Sequence, residues 1–182
     1  MTRTTFLARL VVALLALLMG LGCGGSLVTK IQKSATAPRA SARWTILPFA
    51  NHSDTPQAGE RVEALAGTVL RARGVGAIDL YPAPKNDDAS LVTNDHARIE
   101  EAMVWARQQK YDFAVTGSVE EWRYKAGIDA EPAVGVTIRI VELSTGKVLW
   151  SASGTKTGRA SENASGTALT LLDVLLGNLD LG

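Results

Sequence analysis

Cysteine occurs once in these 182 residues, at Cys23, and histidine twice, at His52 and His96. A lone thiol closes no intramolecular disulfide and has no second thiolate with which to build a zinc knuckle. Neither histidine lies in a recognisable nucleophile motif, so no side chain is set up for acid–base work near neutrality and the chain is not expected to be an enzyme. His52 and Asp54 are two ligand types in one loop full of capping residues, too few for a site; no metal and no cofactor is expected. The glycines of GVGAI follow a helical pattern instead of opening one, which excludes a phosphate-binding loop. An excess of one charge is missing too: 19 basic residues stand against 18 acidic ones, and a nucleic-acid binder would show a basic surplus. No apolar run reaches the roughly 20 residues that a helical bilayer crossing needs.

What is present begins at the N-terminus. Residues 2–9 carry Arg3 and Arg9 and no acid, residues 10–21 are almost wholly aliphatic, and Gly22-Cys23-Gly24-Gly25 follows. A basic flank, about a dozen apolar residues and a small-residue boundary read as a secretory signal. The stretch resembles the lipobox of bacterial lipoproteins: Gly22 and Cys23 match it, and Gly20 stands where leucine is usual. That resemblance implies that Cys23 carries lipid and becomes the first mature residue. Gly24, in place of an aspartate, implies the outer membrane. The chain then divides into a signal peptide (1–22), a lipidated tether (23–42) and a single periplasmic domain (43–182). Losing residues 1–22 removes Arg3 and Arg9 and leaves 17 basic against 18 acidic residues. The tether, rich in small and polar residues, would reach about 65 Å at full extension.

Beyond it the pattern alternates. WTILPF (44–49) reads as a strand, and residues 57–73 as an amphipathic helix with Ala58, Val62, Leu65, Ala66, Val69 and Leu70 on one side. Gly74 and Gly76 end that helix. A strand at 77–81 is followed by the loop PAPKNDDASLVT and a helix running from Asn94 or Asp95 to about Lys110. The core stripe of that second helix is Ile99, Ala102, Met103 and Ala106. Residues 112–124 form the third strand, and helical crossovers make all three parallel. Residues 134–143 and 147–157 form a hairpin about Ser144-Thr145-Gly146, with Val134, Val136, Ile138 and Ile140 on one face. The last helix, 164–179, places Leu169, Leu172, Leu176 and Leu179 on a stripe that Leu171, Val174 and Leu175 widen beyond the needs of one packing face. The expected fold is α/β, a mixed five-stranded sheet in the order β-α-β-α-β-β-β-α.

This order, with ILPFANHSDTPQAGERVEAL after the first strand and VELSTGKVLWSASG in the hairpin, resembles a group of periplasmic lipoproteins that includes the CsgG, LpoB and PelC families. The stretch NHSDTPQAGERVEALAGTVLRARGV with LYP soon after is most similar to PelC. That resemblance implies an outer-membrane lipoprotein whose copies form a ring beneath an export pore and assist export of a cationic exopolysaccharide. Two other readings stay open: an LpoB-like activator of a peptidoglycan synthase, and a CsgG-like component of a protein-secretion channel. A CsgG-type barrel needs spare segments of about ten alternating residues, which this chain does not have. An LpoB-type activator needs a long reach, and this tether is short.

The topology also sorts the charges. The loops at the carboxyl ends of the parallel strands hold Asp54, Asp87, Asp88, Asp95, Glu120, Glu121, Asp129 and Glu131. Repeated around a ring, Asp87, Asp88, Glu120, Glu121, Asp129 and Glu131 would form a rim that binds the polymer. The opposite end holds Arg43, Arg71, Arg73, Arg107, Lys110 and Lys147 together with Trp44 and Trp150. Trp44, Trp150 and Lys147 are expected to face the inner leaflet of the outer membrane. Basic residues at helix C-termini are favoured by the helix dipole in any case, and Trp150 is equally well a core position. Trp105 lies off the stripe of its helix and is expected at a subunit contact, with burial by a neighbouring segment as the other reading.

Overall fold

Val134, Val136, Ile138 and Ile140 share one face of a strand and are all fully buried. They form the middle of a six-stranded sheet in a computed structural model that describes residues 27–82, 95–124 and 131–182. The elements are β1 (Leu27–Lys33), β2 (Arg43–Asn51), α1 (Ala58–Ala72), β3 (Ala77–Leu80), α2 (Asp95–Gln108), β4 (Phe113–Tyr124), β5 (Pro132–Glu142), β6 (Val148–Thr157) and α3 (Ala164–Gly177). Their order across the sheet is β1-β6-β5-β4-β2-β3. β2 lies parallel to both β3 and β4, as the two helical crossovers require, and the remaining pairs are antiparallel.

The expected five strands are six. Residues 27–33, assigned above to a free tether, form β1 and pair antiparallel with β6, Leu27 opposite Lys156 and Lys33 opposite Trp150. The segment LVTKIQK alternates and is rich in β-branched residues, and β6 would otherwise expose a full row of unpaired backbone groups. The rest of the supposed tether is also docked. Ser34 donates its N–H to Leu149, and Ala40 and Pro38 exchange backbone hydrogen bonds with Gly182. Lys33 is 2.9 Å from Asp180.

The helices divide between the two faces. α1 and α3 cover one side of the sheet and share its main core with Ile46, Val115 and the β5 row. α2 covers part of the other side over a smaller cluster built on Leu47, Ala102, Ala106, Ala114, Val141 and Leu143. This division corrects the expectation for the last helix. Leu171, Leu172, Leu175 and Leu176 are all fully buried, because α3 packs against the sheet and against α1 at once; its wide stripe is used within one subunit. Leu169, assigned to the stripe, is 40% exposed.

Both crossover helices end in the same way. In α1, Gly74 takes a positive φ of 94°, and Val75 donates its N–H to Leu70 five residues back, a Schellman closure. In α2, Tyr111 donates to Ala106 in the same pattern, but the left-handed position is held by Lys110 at φ 58°. A side chain there costs on the order of 1 kcal/mol relative to glycine. Lys110→Gly should therefore raise stability by about 0.5–1 kcal/mol, read as a higher urea midpoint at unchanged slope. A lower midpoint would show that the lysine side chain contributes more than the backbone strain costs.

Candidate functional site

The site follows from a break in a strand. Between Ile46, paired with Val115, and Phe49, paired with Gly117, β2 carries one residue more than β4, and the bulge contains Pro48, which has no N–H to give. Two side chains close the gap. Thr116 Oγ1 donates to the Pro48 carbonyl at 2.9 Å, and Glu63 Oε1 of α1 accepts the Phe49 N–H at 2.9 Å. The approach is close enough that a Cβ at Gly59 would lie 2.6 Å from the Phe49 carbonyl oxygen, and one at Gly117 would lie 1.9 Å from that of Thr137. Glu63 is buried, and loss of hydration pushes its pKa up; the Phe49 hydrogen bond and the charge of Arg98 oppose that shift, while Glu60 adds to it.

This anchoring fixes the loop that follows. His52 donates its N–H to Val119, Asn51 donates its own to Asp95 Oδ2 at 2.8 Å, and Asn51 Oδ1 accepts from the N–H and hydroxyl of Ser53. Thr55 Oγ1 donates to the Trp122 carbonyl at 2.5 Å, tying the loop to the end of β4. His52 Nδ1 is then 3.0 Å from Glu120 Oε2, and Ser118 Oγ donates to Glu120 Oε1 at 2.5 Å. The Ser118 hydroxyl first, and His52 second, hold Glu120 below the usual carboxylate range, so its charge persists into mild acid. Glu121 is bridged to Arg123 at 2.6 Å. Glu131 stands next to Pro132, the partner of Tyr124 in the ladder. Among the described residues no three His, Cys, Asp or Glu side chains are grouped to hold a metal ion.

PelC from Paraburkholderia phytofirmans, solved as a dodecamer, shares this architecture at a TM-score of 0.70 and 33% identity, covering 87% of this chain and 99% of that one. The chain belongs to the PelC family. A Leu-to-Met variant of the same dodecamer matches at 32% identity and a TM-score of 0.70, over 85% of this chain and 99% of that one. Lipoprotein GNA1162 from Neisseria meningitidis, 19% identical, shares the fold at a TM-score of 0.52, over 75% of this chain and 96% of that one. No family model and no curated protein sequence matches the chain.

In this PelC-family chain the expected site residues fare unequally. Glu120, Glu121 and Glu131 do lie at one end of the sheet, although the first two are engaged with His52 and Arg123. Asp87, Asp88 and Asp129, like Cys23, lie outside the described residues. Trp44 and Trp150 are 0% and 2% exposed, so neither faces a membrane. Their strands are interior to the sheet, and β1 covers the edge that would have left Trp150 open. Trp44 packs at 5.1 Å against Phe113 and donates its indole N–H to the Arg39 carbonyl. Lys147 is exposed in the β5–β6 turn. Trp105 is half-buried between Tyr81 and Tyr111, at 5.2 and 5.4 Å, which accounts for its place off the helix stripe.

The basic end is largely committed to capping. Arg43 donates to the carbonyls of Gln109 and Lys110 and lies over the Tyr111 ring, Arg71 donates to Ile78, Arg73 to Gly177 and Arg107 to Leu143. Sequence reasoning missed Glu63, Thr116 and Ser118, because their roles depend on partners many residues away or on a bulge.

Glu63 makes the anchoring testable. The folded protein holds its proton more tightly than the unfolded chain, so its contribution is most favourable below the unfolded value of 4.5 and declines as pH rises through the raised value. Glu63→Gln keeps an acceptor without the desolvated charge and should remove that decline from the pH profile of the urea midpoint. Glu63→Leu leaves the Phe49 N–H unsatisfied and should cost about 1–3 kcal/mol. Identical midpoints and pH profiles for all three proteins would show that the bulge closes without the carboxylate.

Proposed function

We propose that this chain is an outer-membrane lipoprotein, anchored through Cys23 on the periplasmic face, whose copies form a ring that assists export of a cationic exopolysaccharide through an outer-membrane pore. The observation that carries the reading is the match at 33% identity over 99% of a PelC that is itself a dodecamer. The ring works by position and field, without catalysis. Asp87, Asp88, Glu120, Glu121, Asp129 and Glu131 line the path of the polymer. In a single copy the pairing of Glu120 with His52 and of Glu121 with Arg123 weakens the patch. Repetition around a ring restores it, because weak contacts on many subunits add along one chain. The outer side of α2, where Val104 is 52% exposed beside Trp105, supplies part of the subunit contact.

Light scattering on the purified protein at micromolar concentration should show a homo-oligomer; a monomer at every concentration would remove the ring. Replacing Asp129→Asn together with Glu131→Gln should weaken binding to a polycationic sugar while leaving oligomer size unchanged. Added salt should act on the unaltered protein in the same direction, since its screening length is about 10 Å at 0.1 M. Binding that ignores both changes would make these acids ordinary solvated loops.

A further inference from the structure

Not every cation at the basic end is spent on a carbonyl. An open cleft of about 580 Å³ lies between the segment that joins β1 to β2, the end of α2 and the end of β5. Arg39 lines it from the joining segment, and Arg107 and Lys110 line it from the end of α2. Among the described residues the side chains of Arg39 and Lys110 have no hydrogen-bond or ion-pair partner. Arg107 uses its Nε on the Leu143 carbonyl at 3.3 Å, and its terminal amino groups are left over.

The backbones behind the two unpartnered cations are pinned. The Arg39 carbonyl accepts the Trp44 indole N–H at 2.9 Å and the Ala42 N–H, and Ala40 donates to Gly182. Lys110 donates its N–H to Arg107, and its carbonyl accepts from Arg43 Nη1 at 3.2 Å. Lys110 is also left-handed, at φ 58°, the conformation that Gly74 takes after α1. A strained residue therefore presents a side chain that the fold itself does not use, a pattern found where a residue serves a ligand.

Two acids in the cleft narrow the class of ligand. Asp112 and Glu142 line it as well. Asp112 Oδ2 accepts the Arg43 N–H at 2.9 Å, and Glu142 Oε2 accepts the Thr145 hydroxyl at 2.5 Å; the second oxygen of each carboxylate accepts nothing among the described residues. A phosphate group would meet these two like charges with no donor to offer them. A peptide brings both halves, a side-chain carboxylate for the cations and backbone N–H groups for the acids. We propose that the cleft binds an acidic segment of a partner protein, one Asp or Glu side chain seated among Arg39, Arg107 and Lys110 and the neighbouring N–H groups donating to Asp112 and Glu142. This site is distinct from the acids assigned to the polymer. β4 begins at the cleft, where Phe113 pairs with Glu142, and ends at the acidic end, where Tyr124 pairs with Pro132.

The test uses the purified full-length protein in a neutral detergent and a fluorescein-labelled peptide in which Asp and Glu alternate with glycine, followed by fluorescence anisotropy. This peptide should bind several-fold more tightly than its Asn and Gln counterpart. Arg39→Gln and Lys110→Gln should each weaken it several-fold at an unchanged urea midpoint, and Lys110→Arg should retain it. Arg159→Gln, an equal loss of charge beyond the far end of β6, should have no effect. Absence of binding, or equal binding of the two peptides, overturns the proposal. Equal weakening by Arg159→Gln also overturns it, by showing a response to overall charge. So does displacement by a soluble short-chain phosphatidylglycerol at lower concentration than the unlabelled peptide needs, which would assign the cleft to a lipid phosphate.

Discussion

A parallel strand that contains a proline must find substitutes for the hydrogen bonds it loses, and in this protein the substitutes organise everything at the carboxyl end of the sheet. Pro48 interrupts β2; Thr116 takes up its carbonyl and Glu63 the next N–H. The carboxylate has to come from α1, so the first turns of that helix must lie against Phe49, and Gly59 lets them do so without a clash. With β2 and α1 locked together, the loop between them has one course, and its hydrogen bonds to Val119, Asp95 and Trp122 follow. The cost is a buried carboxylate with a raised pKa; the gain is a fixed relation between the His52 loop and the acids of β4.

Charge has different roles at the two ends. At the basic end most of the guanidinium groups serve carbonyls at helix and strand termini, so the concentration of arginine there is a by-product of three helices and several strands ending together. At the acidic end Glu63 and Asp95 hold backbone N–H groups, whereas Glu120 and Glu121 are engaged by side chains. Glu120 is kept ionised by Ser118 and His52, and Glu121 is steered by Arg123. Glu120 and Glu121 thus pair with side chains at the acidic end, whereas the more conspicuous arginines and tryptophans are spent on backbone carbonyls and on the core.

The added edge strand also shortens the segment that precedes the fold. Once residues 27–33 are hydrogen-bonded into the sheet, Cys23 lies only four residues before the fold.

Local pattern by itself determined most of this protein. The α1, α2 and α3 boundaries, the parallel arrangement of β2, β3 and β4, the hairpin and the buried row from Val134 to Ile140 all follow from apolar spacing and turn residues, which depend on near neighbours in the chain. The motifs around the first strand and the hairpin likewise carried the resemblance to PelC, which the solved dodecamers bear out. Tertiary structure alone decided whether LVTKIQK is tether or strand, because an edge strand is stabilised by an open partner edge that lies more than a hundred residues away in sequence. It also decided that Trp44, Trp150, Leu171 and Leu175 are core. Exposure depends on which element lies opposite, and the two-sided packing of α3 and the coverage of β6 by β1 leave no trace in local spacing.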